Sequence, residues 1–279
     1  MMRTRPTLAN RHPQAFARAC KQWPLHERAL VEGDSWFRYD SLFPLSLVSR
    51  TSNLFKSVQQ AYPMVSLNLS GNGDLLHNML SDDGLARIGS KLKLCKFQYL
   101  FLSGGGNDIV NALQGLVWRL VDEECSDSIH SPQDAVKPYS AESLLYSMRD
   151  RIDGLCSLRD SVSPGTRIVM HNYGNPNLWK GGFRRFGMTL VGPWIMPKLE
   201  RMGYDQTGGT LIIRDLMTRY DRMLKSLWPA IEIADTATAL QPFHWRDEMH
   251  LTPEGYDHAA QAFLPILHRQ DKSRSEGYP

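Results

Sequence analysis

The sequence has no long hydrophobic run and no strong excess of charge of one sign. Its longest apolar stretches have the length of a β-strand, well short of the roughly 18 apolar residues that a membrane-spanning helix needs. The 32 Lys and Arg against 29 Asp and Glu give a net charge of +3, too weak for 279 residues to indicate a nucleic-acid partner. Hydrophobic residues make up 42% and aromatic residues 10% of the chain, which excludes a disordered protein.

Cysteine is scarce, and no Cys-x-x-Cys pair or His-Glu-x-x-His motif is present, so we expect no metal and no other cofactor. Cys95 and Cys156 lie in apolar segments and are expected to be buried, while Cys20 and Cys125 stand far apart from them. The arginine-containing N-terminal residues are not followed by the apolar segment of a secretion signal. Together these absences predict a cytoplasmic protein.

Apolar, strand-like segments alternate with amphipathic, helix-like segments along the chain. Five segments are predicted to be strands: residues 28–32, 62–69, 97–103, 167–172 and 230–235. Six segments have the apolar spacing of helices: residues 45–60, 83–92, 109–121, 141–158, 211–227 and 253–267. This alternation requires crossover connections, so it predicts an α/β fold with a parallel sheet of about five strands covered by helices on both faces.

Two segments do not fit the alternation. Residues 122–139 are rich in Ser and Asp, which predicts a surface loop, and residues 174–209 combine Gly and Pro with several aromatic side chains. A long irregular segment inside a domain is usually functional or disordered, and its aromatic residues argue against disorder. We expect a lead-in over residues 1–27, a single domain over 28–268 with these two insertions, and a polar tail over 269–279.

Polar residues follow the predicted strands at the points where the strands end. Ser35 closes a Gly-Asp-Ser turn after the first strand, Asn107 follows three glycines after the third, and Asp247 and His250 come between the fifth strand and the last helix. The carboxyl ends of parallel strands meet at one edge of a sheet, where ligands bind in open α/β folds. We therefore expect these side chains to lie close together.

These residue types fit nucleophilic catalysis. A serine hydroxyl is a weak nucleophile and needs an adjacent base, and His250 can take the proton of Ser35. Asp247 can hold the other imidazole nitrogen and so fix the tautomer. Each residue also has a simpler explanation, because Asp34 and Ser35 could cap a helix and the glycines could serve turns. Their occurrence together, in order, favours the catalytic interpretation.

The four polar blocks resemble those of the SGNH hydrolases, also called the GDSL-like family. They read VEGDSWF, LNLSGNGD, LSGGGNDI and DEMHLTPEGY, and they cover most of the chain in that order. The resemblance implies a three-layer α/β/α sandwich of the flavodoxin-like kind. It also implies that Ser35 is the nucleophile and that Asp247 and His250 complete a catalytic triad. No Gly-x-Ser-x-Gly elbow is present, which disfavours an α/β-hydrolase.

The resemblance further implies an oxyanion hole made by Ser35, Gly73 and Asn107. Gly73 matches the family pattern better than Gly71 because an aspartate follows it, and both glycines stay open at this point. The sequence departs from the pattern after the nucleophile, where Trp36 stands in place of the usual leucine. This departure predicts a different entrance to the site.

The activity implied by the resemblance is that of an esterase, which forms an acyl-enzyme on the serine and acts on a small-molecule ester. An acyltransferase or thioesterase with the same triad, and an inactive binding domain of the same fold, are the alternatives. No nucleic-acid partner and no membrane span are expected, and the oligomeric state is left open. Contacts with the substrate are expected from Trp36, His171, Trp179, Phe183 and Arg184.

Overall fold

The computed structural model describes residues 9–38, 52–120, 134–185 and 188–269 of the chain. Within these residues six strands form one sheet and two short strands form a separate hairpin. The strands are β1 (Ala9–Asn10), β2 (Arg28–Gly33), β3 (Val65–Asn68), β4 (Tyr99–Ser103), β5 (Arg167–His171), β6 (Phe183–Arg185), β7 (Met188–Val191) and β8 (Glu232–Ala234). The sheet order is β1-β3-β2-β4-β5-β8, and every neighbouring pair is parallel.

Helices connect the strands and pack in two groups on the two faces of the sheet. They are α1 (Pro13–Gln22), α2 (Leu54–Ala61), α3 (Leu76–Met79), α4 (Asp82–Leu92), α5 (Gly106–Leu116), α6 (Pro138–Val162), α7 (Met196–Glu200), α8 (Gln206–Lys225), α9 (Thr236–Ala239), α10 (Pro253–Ala260) and α11 (Leu264–Leu267). One group contains α2 and α10, and the other contains α4, α5, α6 and α8. The α/β architecture predicted from the alternating segments is confirmed.

The central strands are apolar on both sides because helices cover both faces of the sheet. Leu30 in β2 and Phe101 in β4 have no solvent exposure, and their neighbours along each strand are equally buried. Such continuous burial is typical of parallel sheets. Each large apolar side chain removed from water in this way contributes roughly 2 kcal/mol to the free energy of unfolding.

The N-terminal lead-in contributes more to the domain than expected. Residues 9 and 10 form β1, a sixth parallel strand that pairs with β3 at the edge of the sheet. Helix α1 follows, and its Phe16 stacks on Phe97 with ring centroids 5.4 Å apart. A strand of two residues has no periodic pattern, which explains why the sequence analysis missed it.

Several helix boundaries differ from the prediction for local chemical reasons. Helix α2 begins at Leu54 because the Asn53 side chain caps it by accepting the Lys56 N–H at 2.8 Å, and the earlier part of the predicted helix, residues 45–51, lies outside the described residues. The predicted helix over residues 253–267 is divided into α10, a 3-10 turn and α11. Pro265 lies in the last of these and cannot donate a helical hydrogen bond.

The two insertions are more regular than predicted where the structure describes them. Residues 121–133 lie outside the described residues, but Ala135 and Val136 are buried and α6 begins at Pro138, so a surface loop reaching residue 139 is wrong. The second insertion contains a 3-10 turn (Leu178–Lys180), the β6–β7 hairpin, helix α7 and the start of α8. It is therefore a folded segment with its own short elements.

None of the described helices combines the length and the apolar character needed to cross a membrane. Cys20, Cys95 and Cys156 are free thiols, and Cys125 lies outside the described residues. Cys156 is buried as predicted. Cys95 is half-buried in the turn before β4, so the expectation that it is buried is wrong.

Candidate active site

Ser35 follows β2 at the point where the topology of the sheet reverses. Strand β2 lies between β3 and β4, so the chain leaves β2 first to one side and later returns to the other. The crevice at such a switch point is the usual ligand site of open α/β sheets. A Cβ on Gly33, the last residue of β2, would lie 2.8 Å from the Cβ of Ser103 in β4, so the chain needs glycine there.

The side chains of Ser35, His250 and Asp247 form a continuous hydrogen-bonded chain. Ser35 Oγ lies 3.0 Å from His250 Nε2, and His250 Nδ1 lies 2.9 Å from Asp247 Oδ1. Both His250 and Asp247 are buried. This geometry suits a neutral imidazole that donates from Nδ1 to the carboxylate and accepts the serine proton at Nε2.

The carboxylate of Asp247 is held in its ionised form. Burial raises the pKa of Asp247, but the hydrogen bond from His250 and the charges of His250 and Arg246 outweigh burial, and the pKa is lowered overall. The backbone N–H groups of Met249 and His250 also donate to Oδ1, at 3.0 and 2.8 Å. The same carboxylate therefore fixes the shape of the loop and the orientation of the imidazole.

This loop is closed at both ends immediately before α10. Trp245 and Leu251 form an antiparallel bridge, and the Arg246 N–H donates to the His250 carbonyl at 2.9 Å. The Thr252 hydroxyl then caps α10 by accepting the Gly255 N–H at 3.0 Å, with Pro253 at the first helical position. The spacing Asp-x-x-His thus places both side chains on one compact turn.

The two candidate oxyanion glycines differ in what their N–H groups do. The Gly71 N–H donates to the Gly33 carbonyl at 2.9 Å, whereas the Gly73 N–H donates to no acceptor within the described residues. Gly73 has a φ of 76°, and a Cβ there would meet nothing within 4 Å. The Asn107 side-chain amide donates to the Asp74 carbonyl at 3.1 Å, which ties the start of α5 to this glycine turn. These contacts favour Gly73 over Gly71.

A buried polar network lies beneath Ser35. Asp34 accepts hydrogen bonds from Tyr173 Oη at 2.5 Å, from Ser103 Oγ at 2.7 Å and from the Trp36 N–H at 3.0 Å. Burial raises the pKa of Asp34, while the hydrogen bonds from Tyr173 and Ser103 act in the opposite direction. The network fixes the turn that carries Ser35.

His171 belongs to this network, so its expected role as a substrate contact is wrong. Its side chain is only 1% exposed, and Nε2 lies 2.9 Å from Ser103 Oγ. Its ring stacks on Trp36 with centroids 5.1 Å apart. Burial lowers the pKa of His171 to about 3, so the imidazole is neutral and acts as a support beneath the site.

The other expected substrate contacts occupy different surroundings. Trp36 lines a cavity beside Ser35, and its Nε1 donates to the Met249 carbonyl at 3.0 Å, which connects the nucleophile turn to the histidine loop. Trp179 is 66% exposed on the 3-10 turn of the second insertion. Phe183 and Arg184 are in β6, and their side chains lie outside what the structure describes.

Glu248 is a buried acidic residue of the site that the sequence analysis missed. Its carboxylate accepts the backbone N–H groups of Trp194, Ile195 and Met196 at 2.6, 2.9 and 3.0 Å. Its own backbone N–H donates to the Gly181 carbonyl at 2.9 Å. Glu248 therefore attaches the second insertion to the loop that carries the histidine. The sequence offers no signal for this role beyond the position of the acid between Asp247 and His250.

No group of three or more His, Cys, Asp or Glu side chains within the described ranges is arranged to hold a metal ion. The arrangement can deliver a nucleophile, a proton acceptor and hydrogen-bond donors to one carbonyl group.

Comparison with known proteins gives a structural likeness. No protein-family model matches the chain, and no curated protein matches it. The lipase Lip_vut3 from a goat rumen metagenome has a TM-score of 0.52 and 13% identity, covering 86% of this chain and 96% of the lipase. A carbohydrate acetylesterase family member from Sinorhizobium meliloti has a TM-score of 0.48 and 16% identity, covering 87% and 97% of the two chains.

A phospholipase A1 from Streptomyces albidoflavus NA297 also has a TM-score of 0.48, with 13% identity over 87% of this chain and 98% of the phospholipase. The fold assignment rests on the lipase, whose TM-score exceeds 0.5. At such low identity the likeness establishes the fold alone. It agrees with the α/β fold that the resemblance to the SGNH hydrolases implies.

Proposed function

We propose that this protein is a serine esterase of the SGNH hydrolase type, which cleaves carboxylic esters through an acyl-enzyme on Ser35. The observation that carries the proposal is the chain from Ser35 Oγ to His250 Nε2 at 3.0 Å and from His250 Nδ1 to Asp247 at 2.9 Å. The position of Ser35 at the switch point of the sheet supports this proposed function.

In the first half of the reaction, Ser35 Oγ attacks the ester carbonyl carbon while His250 Nε2 takes the hydroxyl proton. The negative charge that develops on the carbonyl oxygen is stabilised by the N–H groups of Ser35 and Gly73 and by the Asn107 amide. The tetrahedral species then collapses, and His250 gives its proton to the departing alcohol. The acyl group stays on Ser35 as an ester.

In the second half, His250 takes a proton from water, and the water oxygen attacks the acyl carbon. The same donors stabilise the second oxyanion, and His250 returns the proton to Ser35 Oγ as the carboxylic acid leaves. Asp247 stays ionised throughout and stabilises the transient imidazolium from 2.9 Å. Because this pair is buried, its attraction is screened less than it would be in water.

The test is hydrolysis of p-nitrophenyl acetate by wild type, Ser35→Ala and His250→Ala. We expect each substitution to lower kcat by roughly 10⁴-fold or more while the far-ultraviolet circular dichroism spectrum stays unchanged. Ser90→Ala, an exposed serine on α4, is the matched control and should keep full activity. Full activity in Ser35→Ala would contradict the proposal.

The same three side chains would serve acyl transfer to an alcohol or hydrolysis of a thioester. No contact within the described residues favours either reaction, so hydrolysis of an ester is the proposal. Measuring carboxylic acid release against ester formation with an added alcohol separates hydrolysis from transfer. A binding domain without activity would hydrolyse no ester and would not react with a fluorophosphonate probe.

A further inference from the structure

Ser35 borders a small cavity of about 30 Å³ whose far walls are apolar. Its lining includes the polar side chains of Asp34, Ser35 and Asn107. The far walls come from the first turn of α5, from the middle of α8 and from the second insertion. The side chains that define them are Ile109, Val110, Ile195, Ile213 and Met217.

The position of the histidine decides which part of an ester this cavity receives. The departing alcohol oxygen must lie beside His250, because His250 gives it a proton. Ser35 and Asn107 line the cavity together with Trp245 and Met249 of the histidine loop, whereas His250 itself does not. When the carbonyl carbon lies on Ser35 and its oxygen on Asn107, the group that points into the cavity is the acyl chain.

The size of the cavity limits that chain. Pockets that enclose drug-sized ligands have volumes of about 300–1,000 Å³, so a cavity of about 30 Å³ has room for only a small group. This is enough for the methyl end of an acetyl group. A butyryl chain adds two methylenes, which would have to displace wall side chains.

The walls are held in place by contacts that do not involve the substrate. Ile195 is completely buried, and its N–H donates to Glu248 at 2.9 Å. Helix α8, which carries Ile213 and Met217, is tied to the end of β4 by the Tyr220 hydroxyl, which donates to the Gly104 carbonyl at 2.5 Å. Close-packed interiors of this kind resist additional volume.

We infer that the site selects esters of very short apolar acyl groups, with acetate esters as its substrate class. This inference rests on the proposed function, since it takes Ser35 as the nucleophile. A hydrophobic pocket discriminates roughly 10-fold or more per methylene. Butyrate esters, which carry two more methylenes, should therefore react about 100-fold more slowly than acetate esters.

The experiment measures kcat/KM for p-nitrophenyl acetate, butyrate and octanoate, each divided by its rate of hydrolysis in hydroxide. Wild type should prefer acetate over butyrate by about 100-fold and should show little activity on octanoate. Met217→Ala enlarges the cavity and should reduce the acetate-to-butyrate ratio by roughly 10-fold. Ile213→Val is a smaller change that should move the ratio in the same direction if Met217→Ala does not fold.

Met223→Ala is the matched control, because Met223 is buried on the same helix but does not line the cavity. It should leave the acetate-to-butyrate ratio unchanged. Ser35-dependent hydrolysis of octanoate at the rate of acetate would overturn the inference and leave the proposed function standing. An equal change of ratio in Met223→Ala and Met217→Ala would overturn the assignment of the cavity. Hydrolysis that persists in Ser35→Ala would instead contradict the proposed function itself.

Discussion

The carboxylate of Glu248 accepts the backbone N–H of Trp194 at 2.6 Å, and the ring of Trp194 lies edge-on against His250 with centroids 5.3 Å apart. One buried acid thus connects the second insertion to the imidazole of the site. Burial raises the pKa of Glu248, while the N–H groups of Ile195, Met196 and Trp194 act in the opposite direction. The position of Trp194 therefore depends on this carboxylate.

Glu248→Gln should loosen that connection. The amide replaces one accepting oxygen by an NH₂ group, which can only donate. One backbone N–H of the Trp194–Met196 turn therefore loses its acceptor. We expect the free energy of unfolding to fall by about 1–3 kcal/mol, measured by urea titration. We also expect kcat/KM on an acetate ester to fall about 10-fold, because Trp194 is no longer held on His250.

Glu142→Gln on the exposed face of α6 makes the same chemical change and should alter neither quantity. If Glu248→Gln has the same free energy of unfolding and the same kcat/KM as Glu142→Gln, then the second insertion is held by other contacts.

Glu32 should make the stability of the protein depend on pH. It is completely buried in β2, and burial raises its pKa from 4.5 to about 7, although Arg87 donates to it at 2.9 Å and opposes the shift. The folded state therefore favours the neutral carboxyl group. The protonated Glu32 contributes about 3 kcal/mol to the free energy of unfolding below pH 4.5. This contribution is lost as the pH rises through about 7.

Urea unfolding of wild type and Glu32→Gln at several pH values between 4 and 8 measures the contribution of Glu32 to the free energy of unfolding. Gln does not ionise, so the stability of the variant should rise relative to wild type as pH increases across that range. A difference that stays constant with pH would mean that Glu32 titrates in the folded protein much as it does in the unfolded chain.

Tyr173→Phe should destabilise the turn that carries Ser35. The substitution removes the shortest of the hydrogen bonds to the buried carboxylate of Asp34 and leaves one lone pair without its donor. We expect a loss of about 1–3 kcal/mol in the free energy of unfolding. We also expect a lower kcat with little change in KM, because Ser35 loses its fixed orientation. Tyr146→Phe, at a 73% exposed tyrosine, is the control.

Much of the fold follows from local sequence patterns. Strands β2, β4 and β5 are short, continuously apolar segments that end at glycine or polar residues, so the sequence alone predicts them. Ser35 directly follows β2, Asn107 lies in the first turn of the helix that follows β4, and Asp247 lies in the loop before the last long helix. Their approximate positions could be predicted because each is close in sequence to the end of a strand or the start of a helix. The topology of a parallel sheet then brings them to one edge.

The supporting residues could not be predicted, because their roles depend on contacts between distant parts of the chain. His171 ends a predicted strand at the active edge, and only the packing of Trp36 over it shows that it is buried. Glu248 is defined by backbone groups more than fifty residues away in sequence. The edge strand β1 is too short for any periodic signal.

The most direct test of the central claim is intact-protein mass spectrometry after reaction with a fluorophosphonate. The account predicts one adduct, located on Ser35 by peptide mapping, that is absent in Ser35→Ala and normal in Ser90→Ala. Labelling of His250→Ala should be slower by roughly a hundredfold or more, because the serine has lost its base. An adduct on another residue, or equal labelling rates in wild type and His250→Ala, would contradict the account.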